Sequence, residues 1–384
     1  MEYIENIYMD AAASSSGIYS NGFCYLGNPS SQHRFGKESK DVIEKSKNDL
    51  ICQVFNLENN SPLISDYDIA FTSGGTEADN LAILGMRYSE KKHIITSSIE
   101  HKAILESCKE LERHYGFEVT YLNPDKMGTI SLDDVKKSIK PNTCLVSIMA
   151  VNNETGATQP INEIAQICKE KGVLFHTDAV QSNFHFIYNK DIDMISLSGH
   201  KFGSQKGVGC LIYKKDIASQ IYPIIFGGSQ QNGLRSGTEN VDGVESMSRC
   251  YKYCCKHRSK LEEIALYNRS YILNKLLKKE YNIELNCVTN SCPTIISLYV
   301  EDVPADALVS RLSNKNIYIS SGSACNSTSF KPSFVLKNMG YSTERVLSSV
   351  RISIPWNNAY YLEETLDSFC NCFIEAVKEL RNIF

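Results

Sequence analysis

A lysine placed to form a Schiff base is the first chemistry the chain offers. Ser198-Gly199-His200-Lys201 follows an apolar run at 191–197 and precedes another at 208–213, and both runs read as buried strands. A lysine between two core strands, among glycines and small residues, sits where a sheet edge meets a cavity. Desolvation disfavours the ammonium, so such an amine loses its charge readily and suits covalent bonding to a carbonyl. Taken alone, the segment is equally well a surface turn with a solvated lysine. The balance is tipped by His176-Thr177-Asp178-Ala179-Val180-Gln181, which places Asp178 after the preceding strand. Further upstream, Ser73-Gly74-Gly75-Thr76 separates a strand at 67–72 from a helix through Leu81, Ile83, Leu84 and Met86. Gly74 and Gly75 permit a tight turn, free N–H groups at a helix start attract an anion, and Thr76 adds a hydroxyl. On its own this is a plain N-capped helix. No Gly-Lys-Ser/Thr follows, so it is not a Walker loop, and it is not a Gly-x-Gly-x-x-Gly turn.

The elements that must position these groups follow from periodicity. Strands are expected at 67–72, 93–96, 145–151, 173–176, 191–197 and 208–213, and helices at 39–55, after Gly75, and around Ile161, Ile164, Ala165 and Ile167. That alternation implies an α/β fold with a doubly wound, mostly parallel sheet. Ligands of such sheets collect at the carboxyl ends of the strands. Thr76, Asn153, Asp178 and Lys201 all follow expected strands and so converge on one crevice. A phosphate-ready helix start, an Asp after one strand and a Lys after the next are what pyridoxal phosphate requires. The Asp keeps the ring nitrogen protonated, and Ser198 and His200 are further phosphate donors. Lys206 is a competing lysine, ranked second because it lies deeper in the glycine turn. His101 by itself reads as a polar loop residue.

After Tyr213 the pattern changes. A polar glycine loop spans 227–240, and a helical stretch over 244–277 leads into a smaller α+β unit. That unit has strands at 294–300, 317–320 and 350–354, a helix at 305–312 and an amphipathic C-terminal helix. The expected division is a large cofactor domain at 15–255 and a small domain made of 1–14 and 256–384. Composition narrows the function. The 384 residues are 42% hydrophobic and 22% charged, with a net charge of -4, which gives no basic footprint for nucleic acid. No apolar run is long enough for a membrane span, and the N-terminus has no secretory pattern, so a cytoplasmic protein is expected. The 14 cysteines are scattered without a framework, which implies free thiols in a reducing compartment and no metal site.

With these residues in place the chain resembles the cysteine desulfurases of the NifS/IscS type, within the class V aminotransferase group of fold-type I pyridoxal phosphate enzymes. The resemblance rests on ordered stretches over most of the sequence. They include Gly27-Asn28-Pro29-Ser30-Ser31, Thr72 through Glu77, Glu100-His101-Lys102, Val151 through Gly156, Asp178-Ala179-Val180-Gln181, Ser198 through Lys201, Arg235-Ser236-Gly237-Thr238, Ser321 through Cys325 and Arg351-Ile352-Ser353. It implies that Lys201 holds the cofactor and moves the Cα proton, that Asp178 pairs with the ring nitrogen, and that Gln181 bonds the ring hydroxyl. His101 would stack on the ring. Gly75, Thr76, Ser198 and His200 would bind the phosphate, with Thr238 reaching in from the partner of a homodimer. Asn153, near the cofactor, and Arg351 would hold the substrate carboxylate, and Cys325 would be the nucleophile.

The activity so implied is removal of sulfur from L-cysteine, giving L-alanine and a persulfide on Cys325. The sulfur would pass to an acceptor protein, an iron–sulfur scaffold or a tRNA-thiolation enzyme. A selenocysteine lyase or a class V aminotransferase is the alternative, and a non-enzymatic interaction protein on the same scaffold the third. The chain departs from the family pattern at Asp10-Ala11, at Ala13-Ser14-Ser15 and at Ile354-Pro355-Trp356. Pro355 removes a backbone donor, so the wall beside the carboxylate site is expected to differ.

Overall fold

The computed structural model describes residues 7–9, 25–58, 60–287, 291–322, 332–356 and 363–383. The chain opens with β1 (Ile7–Tyr8) and α1 (Arg34–Val54). Strand–helix pairs follow: β2 (Tyr67–Thr72) and α2 (Gly75–Leu84), β3 (His93–Ser97) and α3 (Lys102–Tyr115), β4 (Glu118–Leu122) and α4 (Leu132–Ser138), β5 (Thr143–Ser147) and α5 (Ile161–Lys171). β6 (Leu174–Asp178), β7 (Met194–Ser198) and β8 (Gly209–Lys214) complete this run. The second half contains α6 (Val241–Lys256), α7 (Arg258–Leu276), β9 (Ile283–Leu285), β10 (Ile295–Val300), α8 (Ala305–Ser313), β11 (Ile317–Tyr318), α9 (Phe334–Asn338), α10 (Thr343–Leu347), β12 (Ser349–Ser353) and α11 (Glu363–Arg381).

Seven strands form one sheet in the order β2-β8-β7-β6-β5-β3-β4. β8 runs antiparallel to both its neighbours and every other pairing is parallel. This is the mostly parallel α/β sheet that the alternating pattern predicts. Apart from the edge strand β4, its strands are buried along nearly their whole length, as a sheet covered by helices on both faces requires. One face packs its apolar residues against α1, α5 and α6, the other against α2 and α3. Local signals set the helix ends. Gly116 and Gly172, at φ 70° and 63°, close α3 and α5 in the left-handed conformation that glycine adopts without strain.

Two smaller sheets lie beyond α7. In one, β10 is the middle strand, antiparallel to β12 and β9; in the other, β1 pairs in parallel with β11. Ile7 and Met9 share a second apolar core with α7, α8, β12 and α11. Several expectations shift in detail. The helix read over 244–277 is two helices, broken at His257 (φ -105°, ψ 12°). β5 ends at Ser147, although Ile148 and Ala150 still donate backbone bonds to His176 and Asp178 of β6 (3.1 and 2.9 Å). β4, β9 and α4 were not anticipated, because half-exposed polar residues dilute their apolar pattern; α3 was also not anticipated, although Ile104, Cys108 and Leu111 give it a buried stripe at helical spacing. Among the described residues no helix is long and apolar enough to cross a membrane.

Candidate active site

Gly75, Thr76, His101, Asp178 and Ser198 sit at strand ends or helix starts, each for a local reason. α2 begins directly after β2, and its first amides have no carbonyl one turn back to accept them. The turn is close-packed. A Cβ on Gly209 would fall 2.5 Å from the Gly74 backbone, and one on Gly75 would fall 2.6 Å from Val180 Cγ2. Bare backbone is therefore what β8 and the Val180 loop meet at the helix start. Glu77 secures it, accepting from Ser73 N at 2.7 Å and pairing with Arg235 at 2.8 Å. The polar glycine loop is thereby tied to α2, and Gln231 bonds both N–H and C=O of Phe71 (2.5 and 2.9 Å).

Lys201 ends a short 3-10 turn, Gly199–Lys201, that follows β7. Asp178 is the last residue of β6, and its Oδ1 accepts from Val180 N at 2.9 Å. His101 caps α3, its Nδ1 accepting from Ala103 N at 3.2 Å. That bond fixes the tautomer, so the neutral ring carries its proton on Nε2. Arg351 lies in β12 opposite Ser297 and is 1% exposed. Its Nη1 donates to the Asn153 carbonyl at 3.1 Å, which links the β12 sheet to the loop after β5.

These residues line one cavity of about 400 Å³. Gly75, Thr76, Ser198, His200 and Lys201 line it together with His101, Asn153, Asp178, Gln181 and Arg351. All ten line the same space, although they come from six separate stretches of chain. Thr238 is exposed and is not among them. Cys325, with residues 323–331, lies outside the described residues, as do the departures at Asp10-Ala11 and Ala13-Ser14-Ser15. The flanks of the Cys325 segment are fixed beside Arg351. Ser320 and Arg351 exchange backbone bonds (3.1 and 2.7 Å), and the Ser333 hydroxyl donates to the buried Glu154 carboxylate. A larger hollow of about 770 Å³, lined by Lys40, Glu44 and Lys47 among others, lies where β2 starts. That is the opposite end of the sheet, and it gathers no comparable set of groups.

Electrostatics follow from burial. Loss of water lowers His200 to about 4, with Lys201 and Lys206 adding to the effect, so its ring is neutral at pH 7. Burial raises the Asp178 carboxyl, while His101, the Val180 N–H and Lys201 pull it back down. Three lining residues were not read from the sequence: Asp79, Met149 and Val180. Asp79 carried a signal, since it is a carboxylate on a helix face otherwise made of Ala78, Ala82 and Ile83. Pro355 is buried and is not among the residues that line the cavity. Trp356 packs edge-on against Phe184, with ring centroids 4.7 Å apart, and tilted against His185, so it braces the chain just after Gln181.

The residues fit pyridoxal phosphate. An amine for its carbonyl, an acid for its ring nitrogen, and hydroxyl, imidazole and helix-start donors for an anion all line one cavity. Comparison with known proteins identifies the family. The sequence profile of the family described as aminotransferase class-V matches residues 16–363. The cysteine desulfurase IscS of Dictyoglomus turgidum is 36% identical over 391 residues, covering 98% of this chain and 96% of that protein. A solved NifS-like protein superposes with a TM-score of 0.84 at 30% identity, covering 98% of this chain and all of that one. SspA, solved in complex with cysteine, superposes with a TM-score of 0.74 at 35% identity, covering 91% of this chain and 99% of that one.

Proposed function

The chain belongs to the aminotransferase class-V family, and we propose that within it this protein is a cysteine desulfurase that uses pyridoxal phosphate. The observation that carries the reading is the single cavity in which Lys201, Asp178, the Thr76–Ser198–His200 cradle and Arg351 meet. When bound, the cofactor supplies an electron sink for the charge left by loss of the substrate's Cα proton.

The chain's own residues supply the rest. The Lys201 amine would hold the cofactor through its carbonyl and, when free, would carry the substrate's Cα proton. Asp178, anchored by the Val180 N–H, faces the ring nitrogen as an anion. Gln181 bonds the ring hydroxyl, and His101, oriented by its cap bond, stacks over the ring. Gly75, Thr76, Ser198 and His200 bind the phosphate, and Thr238, exposed on its own chain, serves the site of a partner in a homodimer. Arg351 offers its planar fork to the substrate carboxylate, with Asn153 beside it. The Cys325 thiolate attacks the substrate sulfur. An S–S bond forms, the C–S bond breaks, and the three-carbon skeleton leaves as L-alanine.

The persulfide then passes to an acceptor protein, an iron–sulfur scaffold or a tRNA-thiolation enzyme, in the cytoplasm. Residues 15–255 act as the cofactor domain, with 1–14 and 256–384 as the small domain. The test is L-cysteine turnover by wild type and Cys325→Ala, with alanine, sulfide and the visible band of the bound cofactor measured together. Wild type should form alanine in step with a reductant-sensitive persulfide, and Cys325→Ala should keep the band and release no sulfur. Cofactor binding without alanine from wild type would sink the desulfurase reading and turn attention to selenocysteine or keto acids.

A further inference from the structure

Asp79 is an acid that the reaction outlined above does not use. It sits one turn into α2, is 1% exposed, and lines the same cavity as Asp178 and Lys201. Its Oδ1 is buried and makes no hydrogen bond, and the Ser196 hydroxyl is its hydrogen-bonding neighbour. Behind Ser196 runs a fully buried relay: His176 Nε2 meets Ser196 Oγ at 2.9 Å, and His176 Nδ1 meets Ser147 Oγ at 2.8 Å. Asp79 Oδ1 is 3.9 Å from His176 Nε2, a nitrogen already engaged by Ser196.

An ionised Asp79 would need a cation, but the charged groups that bear on it most strongly are the carboxyls of Asp178 and Glu100. From β6 it meets Asp178 and His176, and from the turn before α3 it meets Glu100, also buried. Burial holds the His176 ring neutral, down to about 3. Lys201 and His101 bear on Asp178 and lower it. Burial pushes Asp79 well up, and the neighbouring Asp178 pushes the same way, against a smaller pull from Ser196. Two like charges in one dry cavity do not both persist.

The geometry points to Asp79 as a second acid of the cofactor cradle: a positioning residue that stays neutral, spans α2 to the Ser196–His176–Ser147 relay, and leaves Asp178 as the single anion facing the bound ring. A protonated carboxyl can donate where a carboxylate cannot. The orphaned oxygen also gives the cavity an acceptor at its back wall, one whose desolvation a bound ring edge or water would offset. This inference rests on the pyridoxal phosphate reading above.

The test compares wild type, Asp79→Asn and Asp79→Ala as full chains, apo and loaded with pyridoxal phosphate. The readouts are the cofactor Kd, the pH midpoint of the bound cofactor's visible band, and the apo melting temperature between pH 5 and 8. The amide mimics a neutral carboxyl in shape and charge. Asp79→Asn should therefore bind within about threefold of wild type, with its midpoint within about 0.3 pH unit. Asp79→Ala, lacking the span to Ser196, should bind at least tenfold more weakly, so that Asn is the rescue. In the apo protein, a neutral buried acid is held protonated above its ordinary range, so it loses stability as pH rises. Asp79→Asn should flatten that loss.

A midpoint shift of one unit or more in Asp79→Asn, or Kd values as weak as those of Asp79→Ala, would mean that Asp79 carries charge, and the proposal fails. It fails equally if Asp79→Ala matches wild type. Should the alanine variant not fold, Asp79→Asn decides alone through its midpoint and melting slope. A wild type that takes up no cofactor overturns the functional reading and the cradle role with it, while the apo melting slopes still report whether Asp79 is neutral.

Discussion

The two faces of the central sheet are built from the same strands and do different work. Toward α1, α5 and α6 the strands present Ile69, Phe71, Ile95, Val146, Phe175, Ile195, Leu197 and Ile212, apolar from end to end. Toward α2 and α3 the same strands begin apolar, with Ala70, Ile94, Leu145, Met194 and Leu211. They finish polar, with Ser147, His176, Asp178, Ser196 and Ser198, every one of them buried. A buried polar group costs stability unless it is paired, and most of these are paired with each other. Stability is therefore concentrated on one face and chemistry at the carboxyl end of the other. Because side chains alternate along a strand, one residue's step separates the two duties.

Substitutions on the two faces should separate function from folding. The largest effect belongs to the polar end. Lys201→Ala should lower alanine formation from L-cysteine by on the order of 10³-fold or more and remove the visible band, with the apo melting temperature nearly unchanged. Steady-state kinetics and a spectrum check both. On the apolar face, Phe175→Ala should cost about 3–5 kcal/mol of unfolding free energy, read from urea denaturation. Whatever folded protein remains should bind cofactor with the wild-type Kd. If Phe175→Ala altered the cofactor spectrum instead, the two faces would not be separable.

Much of this division was legible in the sequence. The expected strand at 67–72 matches β2 residue for residue, and those leading to Asp178 and Lys201 end where the cavity begins, because continuous apolar runs bounded by glycine and small residues have few other solutions. The lining residues named from motifs lie together around one cavity. The depth of the polar tier was not legible. Ser147, His176 and Ser196 are unremarkable residues in apolar runs, and only the pairing of β5 with β6 and of β6 with β7 brings them into line. Asp79 was legible only as a carboxylate on an apolar helix face; that this face meets the cavity depends on which side of the sheet α2 packs. Arg351 was named from its motif, yet its bond to the Asn153 carbonyl depends on two segments nearly 200 residues apart.

Glu100 sharpens the comparison in a different currency, pH. It is fully buried beside the polar tier, accepts from Ser97 Oγ and Met149 N at 2.6 and 3.0 Å, and is raised by burial to about 8. A carboxyl raised in the folded state keeps its full stabilising contribution below its unfolded value, about 4.5. That contribution is lost as pH rises through about 8, at no more than ~1.4 kcal/mol per pH unit. Glu100→Gln keeps an acceptor oxygen for both bonds and cannot ionise. Its stability relative to wild type should rise steadily from pH 5 to pH 8 in urea titrations. Parallel profiles would show that Glu100 ionises freely in the folded protein.

The smallest effect is the most direct test of the one-residue step. Ile195 and Ser196 are neighbours on β7, one facing the apolar layer and the other the relay. Ile195→Val removes one buried methylene and should cost about 0.5–1.5 kcal/mol, leaving the visible band and its pH midpoint where they are. Ser196→Ala removes a hydroxyl bonded to His176 and neighbouring Asp79. Left with fewer partners in a dry layer, those two groups should cost about 1–3 kcal/mol, and the midpoint should move as well. The two losses of stability overlap in size, so melting alone cannot tell the faces apart. The midpoint can, because a methylene carries no dipole, whereas the hydroxyl belongs to the hydrogen-bonded network behind Asp178.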